Sequence, residues 1–337
     1  MNKITSKIYT LINPRKLVLS EEIIDPKTIE KDEIIAQTIY SAISPGTELA
    51  AYCGIEPLRK NIITYPRLLG YCNVAKIIHL GEESEKWHVG DYILTFQSHR
   101  THFRCRLSDF MIKLNPSFLK ESTVSYLYHL GFHSVHTAEL KIGHNAAIIG
   151  MGVLGYTSAT ISKLAGGTTF IFTNQLEHIK LIQEKKMTYF PKNKESLKHI
   201  NELTENIGID IIINSSNNWD DWLLALEIIN KGGTIVNLGF PGRGCNLPNF
   251  NPLSPNYLYQ KNLTIKYLSP INVMGVPSDI QRFNRERNLK YIIRLIEKAQ
   301  INPQEIISSE IEYSELENQY LKYESREKSI LSTIIKW

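Results

Sequence analysis

The stretch that decides the fold is Ala146-Ala147-Ile148-Ile149-Gly150-Met151-Gly152-Val153-Leu154-Gly155. A short apolar run ends in the pattern Gly-x-Gly-x-x-Gly, and a segment of helical character follows directly. In such a strand–turn–helix unit the first glycine permits a tight turn, the second lets a pyrophosphate approach the backbone, and the third lets the helix pack on the strand. The first N–H groups of the helix then face the phosphates. The pattern predicts a dinucleotide-binding site at these residues: Gly150, Met151, Gly152, Val153, Leu154 and Gly155.

The residues after the next predicted strand, Thr168–Phe172, bear on the choice of cofactor. In NAD-binding folds an acidic residue about twenty positions beyond the last glycine binds the adenosine ribose. Here that position is Thr173, followed by Asn174 and Gln175, with Lys180 nearby. The missing carboxylate favours NADPH over NADH, and relaxed specificity is the alternative. The predicted cofactor-binding set is completed by residues at the ends of the next two predicted strands: Ser215, Gly239 and Phe240.

Length and composition exclude several classes of protein. The 337 residues are enough for two domains, and the net charge of +4 comes from 38 basic and 34 acidic residues. That excess is too small and too dispersed to favour nucleic acid or a membrane surface as a partner. Four cysteines in so long a chain do not form a disulfide framework, and neither a signal peptide nor a spanning apolar segment is evident. The expected location is the cytoplasm.

Two kinds of pattern alternate along the chain and predict an α/β protein with two domains. Residues 1–118 consist of short strand-like segments and turns, whereas strands and helices alternate through 119–272. Such alternation predicts a doubly wound parallel sheet of the Rossmann type. The strand Ile209–Asn214, the helix Trp219–Asn230 and the strand Thr234–Gly239 are part of it, and Leu263–Tyr267 is its edge strand. Residues 273–337 return to the β-rich first domain, which is therefore discontinuous.

Several motifs in the same order resemble the medium-chain dehydrogenase/reductase superfamily over the whole chain. They are Tyr40–Glu48, with Ser-Pro-Gly-Thr-Glu; Arg67–Cys72; Trp87–Ile93, with Val-Gly-Asp; the glycine fingerprint; and Gly232–Val236. The resemblance implies a GroES-like catalytic domain beside the Rossmann domain. The Ser-Pro-Gly-Thr-Glu form is similar to a zinc-lacking branch that includes bacteriochlorophyllide hydroxyethyl dehydrogenases and reductases of biosynthetic clusters.

The positions that match zinc ligands in that superfamily do not carry ligands here. Pro45 stands at the first, Tyr71 at the second, and the third falls in Ser125–His129, at Tyr126. The four-cysteine structural zinc lobe is also missing. A separate run, His99, His102 and Cys105, offers at most three ligands, so the two histidines are expected to line or edge the cleft. The sequence therefore predicts no metal.

Without zinc, a hydrogen-bond donor must meet the charge that develops on the substrate oxygen. The resemblance places Tyr71 in the active site and makes it the first candidate, with Thr47 as a proton relay. Glu48 either orients a ligand or closes a surface turn, and Tyr126 and His129 are further candidates. The alternative for Tyr71 is a packed wall without a chemical role.

These observations predict a zinc-independent, NADPH-preferring oxidoreductase that exchanges hydride with a carbonyl or alcohol of a small metabolite, with secondary metabolism as an expected setting. An enoyl or quinone reductase is the alternative, and a non-catalytic NADPH-binding redox sensor or structural homologue is an alternative of another class. By the resemblance, the edge strand Leu263–Tyr267 pairs across a two-fold axis, which predicts a homodimer.

Overall fold

The computed structural model describes residues 2–55, 65–268, 282–325, 327 and 329–337. The chain divides into two compact units, which we call unit 1 (Met1–Tyr126 and Asn272–Trp337) and unit 2 (Leu127–Ile271). The described residues contain no helix that is both long enough and apolar enough to cross a bilayer.

The strands of the described residues are β1 (Ile4–Asn13), β2 (Lys16–Ile24), β3 (Glu33–Ala42), β4 (Arg67–Leu68), β5 (Cys72–Leu80), β6 (Tyr92–Thr95), β7 (His102–Arg106), β8 (Met111–Lys113), β9 (Asn145–Ile149), β10 (Thr168–Phe172), β11 (Thr188–Phe190), β12 (Ile209–Asn214), β13 (Ile229–Asn237), β14 (Thr264–Tyr267), β15 (Ile307–Glu312) and β16 (Ser332–Lys336). The α-helices are α1 (Pro45–Tyr52), α2 (Leu119–Ser122), α3 (Ser125–Thr137), α4 (Val153–Leu164), α5 (Ile179–Glu184), α6 (Lys194–Leu203), α7 (Trp219–Ile228), α8 (Pro255–Leu258), α9 (Arg285–Glu297) and α10 (Leu316–Glu324).

Unit 2 is a six-stranded parallel sheet with the strand order β11-β10-β9-β12-β13-β14. The order reverses between β9 and β12, which is the place where open α/β sheets bind ligands. Central strands buried on both faces are continuously apolar, as in Ile211–Ile213 of β12. Part of the core of unit 2 lies between this sheet and α7, where Trp222, Ala225 and Leu226 pack against strand residues. The predicted doubly wound parallel sheet is confirmed.

The boundary between α7 and β13 differs from the predicted one. The helix ends at Ile228, and the strand begins at Ile229 rather than at Thr234. Ile229 pairs with Ile209, and the register then shifts before Thr234 pairs with Ile211. The intervening residues form an irregularity in which Gly232 has a φ of +78°. In the sequence alone, Gly232 and Gly233 indicate the end of a helix. In the structure, pairing with β12 makes them part of strand β13 instead.

Unit 1 is β-rich, as predicted, and contains two sheets. The larger has the path β15-β16-β3-β5-β6-β8, with β7 paired to β3, and the smaller has the order β2-β1-β4. Alternate residues of β3 and β5, such as Ile34 and Ile77, are buried beside Trp87 and Phe103. Because β16 pairs with β3, the C-terminal segment completes a sheet that begins near the N-terminus. This pairing carries the last residues of the chain to the start of α1.

Candidate functional site

The predicted glycines of unit 2 form a cradle between β9 and α4. Gly150 has a φ of +95°, and its N–H donates to the Phe172 carbonyl at 3.0 Å. A Cβ on Gly155 would lie 2.1 Å from the Gly150 carbonyl oxygen, so the close approach of helix and strand requires glycine there. Gly152 is the N-cap of α4; it offers no side-chain cap, and a Cβ there would meet nothing within 4 Å. The start of a twelve-residue helix thus has open space at Gly152, and helix N-termini with uncapped N–H groups suit a phosphate.

The other predicted residues of this region lie around the same strand ends. Ser215 donates its hydroxyl to the Ile149 carbonyl at 2.9 Å and lies against Gly150. Gly239 lies so close to the Ser216 carbonyl that a Cβ would come within 2.5 Å of it. The Phe240 N–H donates to Asn217 at 2.7 Å. Met151 and Val153 are buried and Leu154 is half-buried, so these three pack the turn rather than present polar atoms.

Thr173 at the end of β10 is buried, with 1 % of its surface exposed. Its hydroxyl accepts the Gln175 N–H at 3.0 Å, which forms a local turn. Asn174 and Lys180 are exposed. The exposed polar groups at this strand end are therefore the neighbours of Thr173 rather than Thr173 itself.

Lys192 is a candidate that the sequence analysis missed. Its N–H donates to the Asn174 side chain at 2.9 Å, and its Nζ forms an ion pair with Asp221 at 2.7 Å. A cavity of about 440 Å³ adjoins these residues. Lys192 follows β11, the parallel neighbour of β10, and so lies at the same sheet edge. A prediction of β11 from Thr188–Phe190 would have found it.

Tyr71 precedes β5 in unit 1 and lies near two other predicted residues, Thr47 and Glu48. Its hydroxyl donates to the Ser44 hydroxyl, and the Thr47 hydroxyl also hydrogen bonds to it. Burial, and then the nearby Cys72 and Glu48, hold the pKa of Tyr71 well above its usual value, although the hydrogen bonds to Ser44 and Thr47 act in the opposite direction. The phenol is therefore kept neutral and able to donate a proton.

Tyr126 lies beside Tyr71. The two rings meet edge to face at 5.3 Å, and Phe96 contacts Tyr126 at 5.2 Å. The Arg285 guanidinium lies 5.9 Å from the Tyr126 ring; burial raises the pKa of Tyr126, and the arginine lowers it in part. His129 is buried on α3 and belongs to unit 2.

Glu48 is 2 % exposed, which excludes the surface turn that was one prediction for it. It lies in the first turn of α1, and its Oε1 accepts the Ser44 N–H at 2.7 Å. Its Oε2 accepts the Tyr320 hydroxyl at 2.6 Å and faces His99 Nε2 at 2.8 Å. Three polar hydrogen atoms or ring nitrogens therefore surround one buried carboxyl group, from Ser44, Tyr320 and His99.

His99 is 0 % exposed, so the expectation that it lines or edges a cleft is wrong. Its Nδ1 lies 2.9 Å from the Ser41 hydroxyl, which in turn accepts the Trp337 indole N–H at 2.8 Å. The backbone of Gly70 lies against one side of the imidazole, and the Trp337 ring stacks near it at 6.4 Å. No sequence pattern links His99 to residues as far away as Trp337. The His-x-x-His spacing of His99 and His102 suggests only a metal site or the edge of a cleft.

The residues at the expected zinc positions do not fit zinc. Pro45 has no donor atom, and the Tyr71 hydroxyl donates to Ser44 rather than offering a thiolate or imidazole. Burial raises the pKa of Cys105 to about 12, which disfavours its thiolate. Within the described ranges, no group of three or more His, Cys, Asp or Glu side chains is arranged to hold a metal ion.

Comparisons with known proteins agree with this architecture. No protein-family model matches the chain. Among curated proteins, an NADP-dependent isopropanol dehydrogenase from Thermoanaerobacter brockii is 29% identical over 122 residues, which are 35% of this chain and 34% of that protein. The chain matches only about a third of the length of such first relatives.

Solved structures match over almost the whole chain. L-Idonate 5-dehydrogenase from Escherichia coli K-12 superposes with a TM-score of 0.80 at 16% identity, covering 100% of this chain and 99% of that one. A zinc-binding dehydrogenase from Sinorhizobium meliloti bound to NADP, described as putative, gives 0.77 at 14% identity, with 99% and 100% covered. The chain therefore has the fold of the zinc-type alcohol dehydrogenases, a GroES-like unit with a Rossmann unit.

Proposed function

We propose that the protein is an oxidoreductase of the medium-chain dehydrogenase/reductase type, which prefers NADPH and exchanges hydride with a carbonyl or alcohol of a small metabolite without zinc. The observation that carries the proposal is the start of α4 at Gly152, which no side chain caps and where a Cβ would meet nothing within 4 Å. The named dehydrogenases among the relatives and structural neighbours support it.

In this proposal, the residues of unit 2 that hold the dinucleotide are the glycine cradle and the strand-end residues around Ser215. When bound, the nicotinamide supplies or accepts the hydride. Tyr71 carries the proton: in reduction its hydroxyl donates to the substrate oxygen as the C–O bond becomes single. The proton lost from Tyr71 is replaced from solvent through the Ser44 or Thr47 hydroxyl, each of which hydrogen bonds to it and accepts one proton as it gives up another.

The preference for NADPH is supported by the end of β10. Neither Thr173, Asn174 nor Gln175 carries a negative charge that would repel a 2′-phosphate. Lys192 adds a cation beside Asn174, although its ion pair with Asp221 offsets part of that charge. The NADP-dependent relative is consistent with this preference.

The direct test is oxidation of NADPH by the purified protein with panels of ketones, quinones and enones, together with NADP reduction by secondary alcohols. Turnover with ketones or alcohols supports the proposal. Turnover with quinones or enones alone would replace it by a quinone or enoyl reductase. Tight NADPH binding with no turnover across all panels would favour a non-catalytic homologue.

We expect the purified protein to carry no stoichiometric zinc and to keep its fold and activity in a chelator, because Pro45, Tyr71 and Tyr126 replace the ligands. Elemental analysis before and after dialysis against EDTA measures this. Dialysis of a second sample against zinc, followed by gel filtration, separates weak surface binding from a built site. About one tightly held zinc per chain would contradict the expectation.

We also propose a homodimer formed through β14, whose outer edge pairs with no described strand. The Leu268 N–H donates to Asn237 of β13, so by alternation the Ile265 N–H points to the open edge. An open strand edge is a template for pairing. We expect Ile265→Pro to remove that outward donor and shift the protein from dimer to monomer in light scattering at micromolar concentration.

Ile265→Val is the matched control for this test, because it keeps the N–H and most of the apolar surface. It should remain dimeric. A wild-type protein that scatters as a monomer would refute the dimer.

A further inference from the structure

One arrangement of protons lets both ring nitrogens of His99 form hydrogen bonds with their neighbours. Ser41 Oγ accepts the Trp337 N–H at 2.8 Å, which leaves the serine proton for His99 Nδ1 at 2.9 Å. The other imidazole nitrogen, Nε2, then carries its proton and donates to Glu48 at 2.8 Å. The proton positions are assigned from these hydrogen-bond partners. The resulting series of hydrogen bonds runs from Trp337 through Ser41 and His99 to Glu48.

The imidazole has little freedom to move. A Cβ on Gly70 would lie 2.7 Å from His99 Nδ1, so the glycine backbone packs directly on the ring. The His99 N–H donates to Leu69 at 2.8 Å, and its carbonyl accepts the Tyr9 N–H at 3.1 Å. Both the backbone and the ring of His99 are therefore fixed by neighbours.

Further hydrogen bonds connect Glu48 to Tyr71, the candidate proton donor. Glu48 Oε1 accepts the Ser44 N–H at 2.7 Å, and the Ser44 hydroxyl accepts the Tyr71 hydroxyl. Ser44 is the N-cap of α1, and its own side chain caps no N–H of the helix. Glu48, through its bond to the Ser44 N–H, holds the start of the helix in place of a capping bond from Ser44. The Ser44 hydroxyl is therefore available to Tyr71.

We propose that the buried Glu48–His99 pair is the positioning centre of this site, which fixes Ser44 and through it the direction in which Tyr71 presents its hydroxyl. The inference rests on the proposed role of Tyr71 as proton donor. Glu48 and His99 act through Ser44, so both are positioning residues. The buried hydrogen bonds of the pair fix the position of Ser44. A rigid support of this kind is needed to keep a reacting group within a fraction of an ångström of its productive position.

The titratable and charged groups around Tyr71 must be considered together in any test. From the elements packed near it these groups are Glu48, Cys72, Tyr126 with its neighbour Arg285, and, behind Glu48, His99 and Tyr320. Glu48 is the acid whose charge raises the pKa of Tyr71. Removing that charge in Glu48→Gln should lower the pKa of Tyr71.

The experiment is NMR of the full-length protein labelled with ¹³C at tyrosine Cζ, whose shift reports hydrogen bonding and ionisation. Tyr71→Phe assigns the Tyr71 signal among the 17 tyrosines. We expect His99→Ala to shift and broaden that signal, and His99→Gln, whose amide restores a donor to Glu48, to bring it back. We also expect kcat in His99→Ala to fall by up to about 10²-fold with KM nearly unchanged, once a substrate is known.

His102→Gln is the matched control, because His102 lies three residues on, is half-buried and contacts Thr101 instead of the pair. A folded His99→Ala protein with the wild-type Tyr71 signal and titration would overturn the proposal, as would an equal change in His102→Gln. If His99→Ala does not fold, Glu48→Gln removes the carboxylate that accepts the Ser44 N–H, and an unchanged Tyr71 signal and titration there overturn the proposal. Since the NMR signal needs no turnover, wild-type turnover in Tyr71→Phe would separately refute the donor role of Tyr71, on which this inference rests.

Discussion

Tyr71→Phe is expected to lower the rate of the hydride-transfer reaction by about 10²–10³-fold, as does the loss of one donor to a developing oxyanion. The change removes one hydroxyl and almost no volume. NADPH affinity should hardly change, because in the proposed function Tyr71 acts on the substrate oxygen rather than on the nucleotide. Steady-state rates with the best substrate of the panel, under conditions in which the hydride step limits turnover, measure the effect.

The pH profile gives an independent check of the same role. Burial holds the pKa of Tyr71 above its usual value near 10, so the proton stays on the donor as the pH rises through that value. Reduction should therefore not lose rate where an ordinary tyrosine titrates. Thr47→Val is the companion variant, for which we expect a smaller loss because its hydroxyl only relays the proton. If Tyr71→Phe turned over at the wild-type rate, the donor role would pass to Thr47, Tyr126 or a bound water.

Thr173→Asp is expected to change the ratio of NADPH to NADH affinity by about 10²-fold in favour of NADH. A carboxylate at position 173 would add a negative charge beside the exposed Asn174, near the proposed place of the 2′-phosphate, and like charges brought together cost several kcal/mol. The new side chain can keep the local turn, because an aspartate oxygen accepts the Gln175 N–H as the threonine hydroxyl does at 3.0 Å. Fluorescence titration with both nucleotides measures the ratio.

Thr173→Asn separates the effect of charge from the effect of shape, because asparagine has nearly the same size as aspartate and no charge. It should keep the wild-type preference. Because Thr173 is 1 % exposed, the stability of both variants must be measured alongside binding. Equal affinities of the wild-type protein for NADPH and NADH would refute the preference from which this prediction starts.

The nucleotide-binding unit could be predicted from the sequence because its signals are local. The apolar run into Gly150, the glycine spacing and the β-branched strand Thr168–Phe172 all lie within a few turns of one another. The end of α7 could not be predicted, since Lys231-Gly232-Gly233 resembles a helix stop. Only pairing with β12 across the sheet makes those residues part of a strand.

The tyrosine site could be predicted only in part for the same reason. Tyr71 and Thr47 were found by resemblance, and the structure places their hydroxyls together. The partners of Glu48 were not found, since His99 and Tyr320 are 51 and 272 residues away from it in sequence. A buried carboxylate needs donors, but the sequence does not say which donors the fold will deliver.

The order in which the chain is synthesised gives the discontinuous unit 1 a particular folding history. Glu48 and His99 leave the ribosome early, but Tyr320, which donates to Glu48, and Trp337, which donates to Ser41 beside His99, come after the whole of unit 2. At about 5–20 residues per second, His99 waits on the order of ten seconds or more for Trp337. During that wait the continuous unit 2 can complete its sheet, while Glu48 lacks the Tyr320 hydroxyl and Ser41 lacks the Trp337 indole N–H. Unit 2 is therefore expected to fold first during translation, and unit 1 to assemble last.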